Sequence, residues 1–184
     1  MMRLIAGLAL VFALVASAVG VWATPPDKSA KLPPGPPEWE SASTLRAWVG
    51  KYPSDKVKGV ALLQVPQLAT KLQATFGPVG LQDMRAMGVA GPIIEQKGWL
   101  VAGSCMAHDC ANQQWVLAVN LSTYAMMACI TRDVDLQGKM VRVRWAGTGK
   151  PRTERIEANP PERCPADIAT ALPKFAYAFA HAGP

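Results

Sequence analysis

Two cysteines five positions apart, Cys105 and Cys110, constrain this chain more than any other feature. Between them stand Met106, Ala107, His108 and Asp109, and short apolar runs flank the segment on both sides. In an oxidising compartment the two sulfurs would close a tight ring over a surface turn. A ring this short adds little entropic stability to a whole fold, so its effect is to fix the shape of an exposed tip. Cys129 and Cys164 would then form a second bridge, tying a core strand to the segment before the last helix. Four cysteines allow three pairings, and the sequence does not choose among them.

The start of the chain bears on which compartment that is. Arg3 precedes an uncharged apolar run over residues 4–23, and Ala16-Ser17-Ala18 and Val21-Trp22-Ala23 both offer small-residue cleavage sites. This is the pattern of a secretory signal peptide over residues 1–23, with an uncleaved anchor as the competing reading. Residues 24–42 carry Pro25, Pro26, Pro33, Pro34, Pro36 and Pro37 with scattered charges and no apolar face, which describes a tether. The folded domain is therefore expected over residues 43–184. With 184 residues in all, there is room for one core and no more.

Within that domain the periodicity changes twice. Thr44 can cap a short helix carrying Leu45, Trp48 and Val49. Pro66 opens a second helix with Val65, Leu68, Leu72 and Phe76 at helical spacing, which Gly77 ends, and a weaker helical turn is readable near Leu81. Short apolar runs at 99–102, 115–119 and 124–131 then read as strands. Val141, Val143 and Trp145 alternate with Arg142 and Arg144, the mark of a half-buried strand, with Gly138 at the preceding turn. Ile168, Leu172, Phe175 and Phe179 share one face of a closing helix, which Pro173 should kink or split. Helices, successive hairpin-linked strands and a last helix predict an α+β fold with helices packed on an antiparallel sheet.

The residue types exclude several chemistries. Cys105, His108 and Cys110 suit zinc by type, but their spacing is unlike a paired knuckle and no fourth ligand is apparent, so no metal or other cofactor is expected. A redox Cys-x-x-Cys is missing. Ser104 with His108 or His181 invites a hydrolase reading, yet no nucleophile elbow, zinc-protease helix or paired-carboxylate motif accompanies them, and the chain does not read as an enzyme. The basic stretch 139–155 lacks the interleaved aromatics of a nucleic-acid platform and reads as a solvated strand face and turn. Trp99, Trp115 and Trp145 occupy core-like strand positions.

The segment Cys105-Met106-Ala107-His108-Asp109-Cys110 resembles the Cys-Lys-Pro-His-Asp-Cys loop of the Ivy family, periplasmic inhibitors of vertebrate-type lysozyme, and its flanking strands resemble that family's as well. The likeness runs loosely from about Trp48 to Trp145 and is specific across the loop alone. It implies an antiparallel sheet presenting the loop, which enters the c-type lysozyme cleft so that the histidine meets the two catalytic carboxylates. Carried onto this chain, His108 would be the plug, Asp109 a loop-shaping or partner-contacting group, Met106 and Ala107 further loop contacts, and Cys105–Cys110 the brace. Imidazole suits the task, since it donates hydrogen bonds to carboxylates and as imidazolium adds charge. Met106 and Ala107 depart from the family's lysine and proline, and the chain's net charge of +6 opposes long-range attraction to a basic lysozyme. The alternative partners are another muramidase or a lytic transglycosylase, or else the chain is a structural envelope module. A periplasmic location follows from the resemblance, without stable membrane insertion once the signal is removed. Monomer and homodimer both stay open.

Overall fold

The computed structural model describes residues 41–135, 140–158 and 163–180. The expected signal peptide, the Pro-rich tether up to residue 40, the Gly138 turn and His181 lie outside the described residues.

The described chain opens with a 3-10 helix, Ala42–Trp48. Its cap is Ser41, whose Oγ accepts from the Ser43 N–H at 3.4 Å, while Thr44 turns its hydroxyl back to donate to the Ser41 carbonyl at 2.6 Å. Leu45 and Trp48 are fully buried, but Val49, just past the helix end, is 38% exposed. A two-residue hairpin follows, β1 (Lys56–Val57) and β2 (Val60–Ala61).

Helix α1 (Pro66–Ala86) is longer than its sequence suggests. Pro66 sits in the first turn, where its missing N–H costs nothing, and Leu68, Leu72 and Phe76 are buried as their spacing requires. Gly77 does leave helical geometry, at φ 77° and ψ 169°, but it only kinks the path. Pro78 has its φ preset for a helix and restarts it, so the weak turn near Leu81 is the second half of one kinked helix, with Leu81 and Met84 buried.

The strands β3 (Val89–Ala90), β4 (Ile94–Gln96), β5 (Trp99–Cys105), β6 (Gln114–Asn120), β7 (Met126–Asp133), β8 (Val141–Gly147) and β9 (Lys150–Glu157) form one antiparallel sheet. Its order is β3-β5-β6-β7-β8-β9, with β4 sharing the outer edge of β5 beside β3. Each of the five long strands follows the last by a hairpin, giving a meander. Tyr124, expected to start a strand, instead turns at φ 59° before β7.

A 3-10 turn (Ile168–Thr170) leads into α2 (Ala171–Ala180). Pro173 does not kink α2. It occupies the first turn, where the backbone N–H has no partner within the helix in any case.

Both faces of the central strands are covered, which is why they read as unbroken apolar runs. Leu100, Trp115, Leu117 and Ile130 pack toward α1 with Leu68, Leu72 and Met84. Val101, Val116, Val143 and Trp145 face α2, where Phe175 meets the Trp145 ring edge-on at 5.6 Å. Each fully buried large side chain contributes about 1.5–3 kcal/mol, so the two layers hold the sheet rigid on both sides. One end of β5 and β6 is thereby a fixed platform for the segment joining them.

Candidate functional site

Register determines what this platform presents. Cys105 pairs with Gln114 at the last rung of β5 and β6, leaving residues 106–113 to project beyond the sheet. The Met106 N–H donates to the Gln113 carbonyl at 2.9 Å and closes the base of the loop. The Asp109 N–H then returns to the Met106 carbonyl at 3.1 Å, making a tight turn with Ala107 and His108 at its two central positions. Cys110 is bonded to Cys105 across the loop, with the two Cα atoms 4.8 Å apart. Both sulfurs are thus covalently committed and offer no thiolate to a metal. Cys129 and Cys164 form the second bridge.

His108 is exposed and carries a backbone φ of 67°. That left-handed conformation is ordinarily given to glycine or asparagine, because Cβ crowds the carbonyl, at a cost of about 1–2 kcal/mol. The ring and the turn hold it there. Lys58 and Lys97 take the same left-handed conformation in exposed hairpin turns, so it is turn geometry that sets the direction of the His108 side chain.

Asp109 works below the tip. Its carbonyl accepts from the N–H groups of Asn112 and Gln113, and its Oδ2 accepts from Gln113 Nε2 at 2.8 Å. Its carboxyl also meets that of Asp133, at the end of β7. Burial pushes the Asp133 carboxyl above the usual carboxylate range. A hydrogen bond shared with Asp109 and the negative charges of Asp109 and Asp135 push it the same way, against the pull of Arg132.

Met106 and Ala107 behave differently from each other. Ala107 is exposed beside His108, whereas the Met106 side chain is half-buried and packs against the α1-side core. Ser104 is not disposed as a nucleophile: it is buried, and its hydroxyl points at the Met87 and Val89 carbonyls at 2.7 and 3.0 Å, fastening β3 to the sheet.

The structure adds Arg163, Gln113 and Asp133, which the sequence reading missed. Arg163 Nη1 donates to the Ala111 carbonyl at 3.1 Å and to Asn112 Oδ1 at 2.7 Å, bracing the far side of the loop. It reaches there because Cys164 is held three ways, by its disulfide, by its N–H to Thr131 Oγ1 at 3.3 Å, and by its carbonyl accepting from Gln114 Nε2 at 2.8 Å. The one signal available was adjacency to Cys164. A cleft of about 1080 Å³ opens beside the loop, with Cys110, Ala111, Gln114, Arg163 and Ile168 on its walls.

Comparison with known proteins bears on what such a loop serves. Searches of curated proteins and of solved structures gave no match. The sequence profile of one family, described as inhibitor of vertebrate lysozyme (Ivy), matches residues 67–178, which takes in the loop, both disulfides, the whole of the β3–β9 sheet and most of α1 and α2. No helix among the described residues is long and apolar enough to cross a membrane. With well over half of its 184 residues inside that match, the chain belongs to the Ivy family of lysozyme inhibitors.

Proposed function

We propose that this protein is an exported, periplasmic inhibitor of c-type lysozyme that plugs the catalytic cleft with the Cys105–Cys110 loop, His108 meeting the two catalytic carboxylates. The observation that carries this reading is the placement of His108: exposed, at the centre of a turn inside a covalent ring, with φ 67°. A loop already held in its bound shape loses little conformational freedom on docking, and that saving appears as affinity. Asp109 serves as the group that shapes the loop from below, through Gln113 and Asp133. Met106 anchors the loop to the core and leaves Ala107 and His108 as the side chains offered to the partner. Export by residues 1–23, a tether over 24–42 and a binding domain over 43–184 complete this reading.

The absence of the family's lysine at Met106 supports a second reading, in which the same loop serves another muramidase or a lytic transglycosylase. The two are separated by a turbidity assay on cell-wall substrate with each enzyme class. His108→Asn is the informative variant, because asparagine tolerates positive φ and keeps the turn while removing the imidazole. Truncating a central interface anchor typically costs about 2 kcal/mol or more, so inhibition by His108→Asn should weaken at least about tenfold with melting unchanged or slightly raised. His181→Ala should inhibit like wild type. Undiminished inhibition by His108→Asn would remove His108 from the mechanism.

A further inference from the structure

The outer strands carry a charged cluster that the loop does not use. Register places Arg132 opposite Arg142 and Arg142 opposite Ile156, one row across β7, β8 and β9 on the α1 side of the sheet. The next row sets Arg144 opposite Glu154, and Arg152 lies two residues along β9 on the same face. Val141, Val143 and Trp145 point the other way, into the α2 layer.

The charges on this face do not balance. Asp83 of α1 is engaged by Arg132. Among the described residues Glu154 is the carboxylate in ion-pair contact with Arg152 and Arg142: it lies 2.5 Å from Arg152 Nη2 and 3.2 Å from Arg142 Nε. Its carboxyl is held below the usual range by Arg152, Arg142 and Arg144, and Arg144 feels Asp83 only weakly besides. Arg144 is half-buried over the Phe76 ring, donates to the Phe76 carbonyl at 3.3 Å, and has no acceptor for Nε among the described residues. Its own pKa is lowered by burial and then by Arg152 and Arg142. Packing three cations around one carboxylate costs repulsion, and an added oxyanion relieves it. Guanidinium groups suit phosphate oxygens through paired N–H donors.

The rest of the face selects among anions. It is a strand ladder, and none of the side chains it presents from β8 and β9 (Arg142, Arg144, Ala146, Arg152, Glu154, Ile156) is the aromatic platform on which a sugar would stack. Ile156 is 44% exposed in the same row as Arg142. Cations with an exposed aliphatic residue beside them fit a membrane interface, where the chain meets acyl groups and the charges meet headgroups. We infer that this face docks on an anionic phospholipid surface, with Arg142, Arg144 and Arg152 on the phosphodiesters and Ile156 entering the interface.

Cosedimentation tests this, using the protein recovered from cells and phosphatidylcholine vesicles with or without phosphatidylglycerol. The N-terminal run and Arg3 before it are the same in every variant, so where they are retained they add equally to all of them and leave the comparison between variants unchanged. The expected result is excess binding to the anionic vesicles that fades with salt. Arg142→Gln with Arg152→Gln should cut that excess roughly tenfold or more. Arg142→Lys with Arg152→Lys should keep most of it, and Lys51→Gln with Lys56→Gln, exposed elsewhere, should leave it intact. Circular dichroism checks folding, and Arg152→Gln alone serves if the double variant unfolds. Equal loss in the Lys51→Gln, Lys56→Gln variant would reduce the effect to net charge and overturn the proposal, and so would loss in the charge-conserving Arg142→Lys, Arg152→Lys variant as large as in the glutamine one. So would equal binding to both vesicle types, or binding to a sulfated polysaccharide without vesicle preference.

Discussion

Asp133 lies next to the Asp109 carboxyl at the base of the loop, and its own protonation decides whether that contact attracts or repels. Asp133 is the member raised by burial and by its acidic neighbours. A carboxyl whose folded pKa lies above its unfolded value favours the folded state while protonated, so the stability it lends is present below the unfolded pKa and is lost as pH rises through the folded one. The Asp133→Asn variant keeps a donor toward Asp109 at every pH. It should therefore melt with wild type near pH 4 and above wild type near pH 7, the gap opening as Asp133 ionises. Melting curves for both proteins across that range test the linkage, and a gap that does not change with pH would refute it. The loop's own chemistry was readable from Cys105, His108, Asp109 and Cys110. Its supports were not: Asp133 and Arg163 arrive from distant segments through strand register and the Cys164 clamp.

Elements in this fold are terminated less by their residues than by what packs on them. Gly77 and Pro78 would each end a solitary helix, yet Phe76 before the break and Leu81 and Met84 after it are buried in the same core, so burial carries α1 through its kink. The backbone at Gly77 lies at φ 77° and ψ 169°, a region accessible almost only to glycine. Gly77→Ala should cost about 1–3 kcal/mol even though a Cβ would meet nothing within 4 Å, because the strain is conformational rather than steric crowding by neighbours. Denaturant unfolding measures it, and an unchanged midpoint would mean that the kink relaxes at no cost. Strands showed in the sequence where alternation or an apolar run was strong, as at Val141, Val143 and Trp145. β9 was read only as a basic strand face and turn, since Arg152, Glu154 and Ile156 face the arginines of β8 rather than an apolar layer. β1 to β4 are two or three residues long, too short for any period to register.

Across the whole molecule, if the loop binds as proposed, the two disulfides divide the work between folding and recognition. Cys129–Cys164 spans 35 residues and anchors the approach to α2 on the central strand β7, while Cys105–Cys110 spans five and lies outside both cores. Loop-closure entropy assigns the long bridge about 4 kcal/mol and the short one about 2 kcal/mol. Cys129→Ser with Cys164→Ser should therefore lose the more stability in denaturant unfolding. It should also weaken inhibition somewhat, because Arg163 rides on the Cys164 clamp and would hold Ala111 and Asn112 less firmly. Cys105→Ser with Cys110→Ser should keep its fold, since Gln114, Trp115 and Ser104 still fasten the adjoining rungs through Cys164, Met84 and Met87. With the ring open, however, His108 is no longer confined to its left-handed turn, and ordering the loop on docking should cost at least about tenfold in inhibition. Measuring unfolding and lysozyme inhibition on both double variants places each on two axes. If the short-bridge variant inhibits like wild type, or proves the less stable of the two, this division between the bridges is wrong.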